Sequence, residues 1–249
     1  MMGMLLWKSP EAGKREKRMA LTERSVLHMR CACVEVVRGP KTPSAVLRRR
    51  VASAAKKLHR AGVTRAVLPT DFPFSAELEK YGVRPVSTLP LRRALAAETV
   101  GWRLERLGLT AGARVAVVGE QLTGELVRTV TELCLRCRYV LLDLPYGGEE
   151  LSRQLRREYG VSLLLGPSKE QLEGAEALVL FGERQDLNRK NPVVLALYEG
   201  GGDALPPLVL PPAMEERLPA GCDRPQLLSA LREAGALRPG QISLGTSKG

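Results

Sequence analysis

The chain has few aromatic residues and few histidines. Phe, Trp and Tyr together make up 4% of its 249 residues, and His28 and His59 are the only histidines. Neither histidine stands at a recognisable motif spacing from a serine, cysteine or acid, which argues against a histidine-dependent catalytic triad. The scarcity of aromatics argues against a platform on which nucleic-acid bases stack. The sequence also lacks a Walker loop, a kinase motif set and zinc-finger spacing.

Long apolar runs are missing as well, and the cysteines do not suggest a disulfide scaffold. No run approaches the roughly 20 residues of a membrane helix, and the apolar residues 1–7 are too few for a signal peptide. Five cysteines are an odd number in a chain without an export signal, so we expect them to be reduced. A site of four thiolates from Cys31, Cys33, Cys134 and Cys137 is one alternative, and small buried hydrophobic residues are the other. We favour the second, and expect a cytoplasmic protein without a metal.

Positive charge is concentrated at the start of the chain. The first 70 residues hold 16 Lys and Arg against 4 Asp and Glu, whereas the rest hold 22 against 23. Apolar residues recur at helical spacing over residues 44–61, with Arg48, Arg49 and Lys56 on the opposite face. This basic region predicts either a surface for nucleic acid or an acidic partner, or simply a solvated face.

Strand and helix patterns alternate along most of the chain. Hydrophobic residues make up 44% and charged residues 26%, which is typical of a globular protein with a packed core. The alternation predicts parallel sheets and an α/β fold, and the length favours two lobes. We predict a basic arm or loop at residues 1–24, an N-terminal α/β lobe at 25–88 whose residues 25–38 form its first strand, a connecting helix at 89–108, a parallel-sheet lobe at 109–202, and a Pro-rich linker with a C-terminal helix and strand at 203–249.

A glycine motif lies where a buried strand is followed by a helix. The segment VAVVGEQLTGELV, residues 115–127, has Gly119 at the first glycine position and Gly124 at the third glycine position of G-x-G-x-x-G, with Gln121 at the second. The first glycine permits the tight turn and the third permits close packing of helix and strand. Here the chain resembles the Rossmann NAD(P)-binding superfamily over about residues 113–198, with a degenerate glycine loop.

The resemblance implies a ligand and a set of binding residues. In that superfamily the second glycine lets the backbone approach a pyrophosphate, a place where the Gln121 side chain would project. Asp143 ends the next strand, 19 residues beyond Gly124, close to the offset at which an acid holds ribose hydroxyls. That position favours NAD over NADP. The alternative for Asp143 is a residue that caps the backbone at the end of a loop.

Two hypotheses for the function follow from these residues. In the first, a Rossmann-like lobe binds a nucleotide or NAD-like ligand between two lobes and, if the chain is an enzyme, acts as an NAD(P)-dependent oxidoreductase. Asp71 follows a strand and is the candidate acid or base, although an aspartate between two prolines also suits a turn. In the second, the scaffold has lost its ligand and serves a structural, regulatory or partner-binding role.

Overall fold

The structure is a computed structural model that describes residues 1–10, 19–202, 204–238 and 240–245. The chain divides into two units. The first contains Met1–Thr88 and Leu208–Ser243, and the second contains Leu89–Pro207 and the residues from Leu244. Each unit has helices packed on a mainly parallel sheet, so the predicted α/β fold class is confirmed.

The first unit begins with a mixed sheet and two helices that follow its strands. Strand β2 pairs antiparallel with β3, and the other neighbours in the order β2-β3-β1-β4-β5 are parallel. The elements are β1 (Met2–Lys8), β2 (Leu21–Val26), β3 (Met29–Val37), α1 (Ser44–Arg60), β4 (Arg65–Val67), α2 (Ser75–Glu79) and β5 (Arg84–Pro85).

The prediction of an arm or loop at residues 1–24 was wrong where the structure describes them. Strand β1 lies at the centre of the sheet, and its residues Met4 and Leu5 have no exposed surface. A central parallel strand is covered on both faces and therefore has a continuous apolar run, which cannot be distinguished by periodicity from other short apolar segments. Residues 11–18 of the predicted arm lie outside the described residues.

The prediction of one strand over residues 25–38 was also wrong. Leu27 and His28 have φ angles of 46° and 73°, and this left-handed pair turns the chain back between β2 and β3. Two consecutive left-handed residues are typical of the tight turns that join antiparallel strands, although glycine and asparagine are the usual residues there. Because neither Leu27 nor His28 is a usual turn residue, the sequence did not indicate the turn.

Helix α1 confirms the helix predicted over residues 44–61. Its buried residues are Leu47, Val51, Ala54, Ala55 and Leu58, the set expected from helical periodicity. They pack into a core shared with Leu5 of β1 and Val34 of β3.

The second unit has a fully parallel sheet in the Rossmann order. Its strands are arranged β10-β9-β6-β7-β8, so that β6 occupies the position where the strand order reverses. The elements are α3 (Leu89–Ala94), α4 (Ala96–Arg106), β6 (Arg114–Val118), α5 (Gly124–Arg136), β7 (Tyr139–Asp143), α6 (Gly148–Tyr159), β8 (Leu164–Leu165), α7 (Lys169–Glu173), β9 (Ala177–Leu180) and β10 (Val193–Ala196).

The connecting helix predicted at residues 89–108 is instead two helices, α3 and α4, that belong to the second unit. The helical backbone is interrupted at Leu95, where φ is −101° and ψ is 14°. Ala97, Val100 and Leu104 of α4 enter the same core as Val115 of β6. These helices therefore cover the sheet, because their apolar faces need a partner that an isolated connector would lack.

Arginines from α3 and α4 bind the carbonyl groups of β10, the strand at one edge of the second sheet. Arg103 donates to the carbonyl of Val194 over 2.9 Å, and the buried Arg92 donates to the carbonyls of Ala196 and Gly201. Arg93 donates to the carbonyl of Leu197, one residue beyond the strand, over 2.9 Å. An edge strand exposes unpaired backbone groups, and guanidinium donors satisfy them here in place of a further strand.

The C-terminal segment predicted as a linker with a helix and strand, residues 203–249, returns largely to the first unit. There the Gln226 side chain accepts a hydrogen bond from the Leu68 backbone over 3.0 Å, and the Asp223 N–H donates to the Leu68 carbonyl over 2.8 Å. Its elements are β11 (Leu208–Val209), α8 (Pro212–Glu215), α9 (Arg224–Glu233) and β12 (Ser243–Leu244).

Two glycine-to-alanine substitutions should have opposite effects on stability. A Cβ at Gly3 in β1 would lie 2.5 Å from Val63 Cγ1 and 3.1 Å from Ala66 Cβ, so Gly3→Ala should lower the free energy of unfolding by about 1–3 kcal/mol. Gly101 in α4 has no neighbouring atom within 4 Å of such a Cβ, so Gly101→Ala should raise it by about 0.5–1 kcal/mol. Urea denaturation followed by circular dichroism measures both, and equal effects would contradict the packing described at Gly3.

Candidate functional site

The ends of three neighbouring strands meet at the carboxyl edge of the second sheet. Gly119, which follows β6, donates its N–H to the carbonyl of Asp143 at the end of β7 over 3.0 Å. Phe181, which follows β9, donates its N–H to the carbonyl of Val118 over 2.9 Å. These bonds place Asp143 on one side of Gly119 and the segment after β9 on the other.

A cavity of about 300 Å³ opens at this edge. Ligands of open parallel sheets bind outside the carboxyl ends of the strands, where the strand order reverses, which is between β6 and β9 here. Every lining residue belongs to the second unit, and the residues are Val118, Gly119, Glu120, Asp143, Pro145, Gly182 and Arg184.

Gly119 is required by packing. A Cβ at this position would lie 2.3 Å from Leu126 Cδ1 and 3.4 Å from Leu144 Cδ1. Leu126 has no exposed surface, so its side chain has little room to move aside. The side chain of Thr123 caps α5 by accepting a hydrogen bond from the Leu126 N–H over 3.2 Å. The turn from β6 into α5 is therefore held by contacts at both ends.

Asp143 forms an ion pair with Arg184 inside the cavity. Arg184 Nη1 lies 2.6 Å from Asp143 Oδ2, and both side chains are about one-third exposed. The other two guanidinium nitrogens bind Asp186, with Nε 2.7 Å from Oδ1 and Nη2 2.9 Å from Oδ2. These hydrogen bonds lower the pKa of Asp186 to about 2 and raise the pKa of Arg184.

Arg189 holds the segment that carries Arg184. Its Nη2 donates to the Arg184 carbonyl over 3.1 Å, and its Nη1 donates to the hydroxyl oxygen of Tyr198 over 2.9 Å. Arg189 has a φ of 51°, a left-handed conformation that is uncommon for a residue with a side chain. The guanidinium of Arg184 is thus positioned through its backbone as well as through its two carboxylate partners.

Gly124 does not have the packing role expected of its motif position. The packing role expected of Gly124 was wrong, because Gly124 is exposed and a Cβ there would meet nothing within 4 Å. Gln121 is exposed and does not line the cavity. Binding of a cofactor by Gly119, Gln121, Gly124 and Asp143 stays a prediction, and so does the conflict between Gln121 and a pyrophosphate.

Asp71 lies in an exposed turn after β4 in the first unit. Its φ of 53° is in the left-handed region, which aspartate adopts more readily than most residues. This geometry agrees with the alternative of a turn-forming residue. A catalytic role for Asp71 stays a prediction.

The five cysteines are free thiols, and all but Cys137 are buried. Burial raises the pKa of Cys33, Cys134 and Cys222 to about 11, so these thiols are protonated at neutral pH. Among the described residues, no group of three or more His, Cys, Asp and Glu side chains is arranged to hold a metal ion. Nor does the described part of the chain contain a helix long and apolar enough to cross a membrane.

Part of the charge of α1 is used within the first unit. Arg48 Nε lies 3.4 Å from Glu77 Oε1, Lys56 Nζ lies 5.4 Å from the ring centre of Tyr81, and Lys57 donates to the carbonyl of Met19. These contacts give three basic residues of α1 a structural role. Binding of nucleic acid or of an acidic partner by this region stays a prediction.

Sequence reasoning did not single out four of the residues that line the cavity, Glu120, Pro145, Gly182 and Arg184. Glu120 follows β6, while Gly182 and Arg184 follow β9. The signal that could have found them is the rule that applied to Asp143, since polar residues just after the neighbouring parallel strands meet at one edge. The pairing of Arg184 with Asp143, 41 residues apart, had no sequence signal of its own.

Comparison with known proteins yields only distant resemblance. No protein-family model matches the chain, and no curated protein matches it significantly. Among solved structures, the hetero-hexameric glutamate dehydrogenase from Thermus thermophilus has 16% identity and a TM-score of 0.32, over 95% of this chain and 69% of that one. The L-tryptophan dehydrogenase from Nostoc punctiforme has 14% identity and a TM-score of 0.28, over 61% of this chain and 44% of that one.

A D-lactate dehydrogenase with NAD+ from Lactobacillus jensenii has 13% identity and a TM-score of 0.27, over 61% of this chain and 56% of that one. The chain spans about half the length of the tryptophan and lactate dehydrogenases that it matches.

The two motif glycines should respond differently to substitution. Gly119→Ala forces a Cβ against Leu126 and should lower the free energy of unfolding by about 1–3 kcal/mol. Gly124→Ala places its Cβ in open space and should change that free energy by less than about 0.5 kcal/mol. The two variants are compared by urea denaturation, and a larger loss for Gly124→Ala would show that the turn is packed differently.

Proposed function

We propose that the second unit binds a ribose-bearing ligand, a nucleoside or a nucleotide, in the cavity beside Gly119. The observation that carries the proposal is the position of the Asp143 carboxylate, which lines a cavity at the carboxyl edge of a sheet in the Rossmann order. A carboxylate at the end of the second strand of such a sheet suits the two vicinal hydroxyls of a ribose, because it accepts two hydrogen bonds.

The ion pair between Asp143 and Arg184 is compatible with ligand binding. Both side chains are about one-third exposed, and ion pairs at such positions contribute little to stability. Arg184 also keeps its two bonds to Asp186 if Asp143 turns towards a ligand. Asp143 can therefore exchange a guanidinium for ribose hydroxyls at small cost.

The proposal concerns binding and assigns no reaction. The resemblance of residues 115–127 to the dinucleotide motif makes an NAD-like ligand one of those to test, with NAD preferred to NADP because Asp143 would repel a 2′-phosphate. If the unit belongs to an enzyme, an NAD(P)-dependent oxidoreductase is the first class to consider. Fold alone does not decide the matter, since Rossmann scaffolds serve many functions.

Removing the charge of Asp143 should weaken binding. We expect a thermal-shift titration with adenosine, AMP, ADP, NAD and NADP to stabilise the chain by about 2.7 kcal/mol for a ligand present at 100 times its dissociation constant. Asp143→Asn should raise that dissociation constant by roughly tenfold or more, because hydrogen bonds to a charged acceptor are lost.

Glu158→Gln is the matched control, since it makes the same change of carboxylate to amide near the far end of α6. It should leave the dissociation constant unchanged. If no ligand stabilises the chain, or if Asp143→Asn and Glu158→Gln bind every ligand as the unaltered chain does, the proposal fails.

A further inference from the structure

Carboxylates outnumber cations at the cavity. Glu120 and Asp143 line it, Asp186 binds Arg184 beside it, and Arg184 is the only cation among the lining residues that the structure describes. Two negative charges against one positive charge leave the lining side chains with a net charge of about −1, and the charge of Asp186 beside them is partly offset by Lys169. The local charge therefore opposes a phosphorylated ligand.

The guanidinium of Arg184 is already engaged by carboxylates. All three of its nitrogens bind aspartate oxygens, Nη1 that of Asp143 and the other two those of Asp186. Even when Asp143 turns to a ribose, a phosphate arriving here would have to compete with Asp186, which holds two of the three nitrogens. Arg184 therefore differs from an unpaired arginine held ready for an anion.

Glu120 lines the cavity and lies against Gly182. A Cβ at Gly182 would come within 2.8 Å of Glu120 Oε1, so the absence of a side chain at Gly182 leaves room for this carboxylate. Glu120 is the residue directly after Gly119, in the turn that leads to the start of α5. In a dinucleotide site the pyrophosphate lies at the start of this helix. Here that turn contains Glu120, whose carboxylate lies against Gly182 at the edge of the cavity.

The size of the cavity suits a small ligand with an apolar face. Its volume of about 300 Å³ is at the lower end of the roughly 300–1,000 Å³ of small-molecule sites. Val118, Pro145 and the two glycines form walls without charge, against which a flat base can lie. A nucleoside combines a base of this kind with hydroxyls for Asp143.

We propose that the cavity selects the unphosphorylated nucleoside, neutral or positively charged, and discriminates against nucleotides in proportion to their phosphate charge. The inference rests on the proposed function, because it concerns the same cavity and the same Asp143. It adds that Glu120 is a specificity-determining residue, which acts through its charge on any phosphate placed at the start of α5.

Isothermal titration calorimetry with adenosine, AMP, ADP and NAD at low ionic strength tests this. We expect adenosine to bind best and AMP about tenfold more weakly, with ADP and NAD weaker still. The ratio of the AMP dissociation constant to that of adenosine should fall about fivefold in Glu120→Gln, because one repelling charge is removed. The same ratio should shrink in 0.5 M salt, since salt screens exposed charges.

Glu158→Gln is again the matched control and should keep the ratio of the unaltered chain, and the midpoint of urea denaturation checks that each variant is folded. Binding of ADP or NAD as tight as that of adenosine would overturn the inference and leave the proposed function standing. If Glu120→Gln leaves the ratio of the AMP dissociation constant to that of adenosine unchanged, the inference is likewise overturned and the proposed function stands. Failure of all four ligands to bind the unaltered chain would overturn both.

Discussion

The close contact between Gly119 and Leu126 is the constraint on which the candidate site depends. Because Gly119 has no Cβ, β6 can pass into α5 through a short turn that brings the helix against the sheet. The same residue bonds to the backbone of Asp143, so the turn also sets the position of the carboxylate. A wider turn would move the wall of the cavity and its acid together.

Charge is used differently on two sides of the second sheet. At the β10 edge, Arg92 and Arg103 bind backbone carbonyls of a strand that has no further neighbour among the described residues. At the carboxyl edge, Arg184 is enclosed by aspartates and leaves the cavity with an excess of negative charge. The contacts of these three arginines are with backbone carbonyls and with aspartates of the same unit.

Of the motif glycines, the structure requires only one for packing. Gly119 is needed, while Gly124 begins a helix in open space, where alanine would fit. The fingerprint therefore reported the strand, the turn and the helix correctly. Its value as evidence for a pyrophosphate site is smaller, because that site depends on free amides and on local charge. The carboxylate of Glu120 and the ion pairs of Arg184 determine the local charge, and the glycine motif specifies neither.

The sequence by itself determined the local elements whose patterns are strong. Helix α1 has nearly the predicted bounds, and the strand and helix predicted around residues 115–127 are present as β6 and α5, because periodic burial of apolar residues is a property of neighbouring positions. Only the tertiary structure placed β1 at the centre of its sheet, turned the chain at Leu27 and His28, returned the C-terminal segment to the first unit and paired Arg184 with Asp143. Each of these features depends on contacts between residues far apart in the sequence. Such contacts leave no repeating pattern of residue types along the chain.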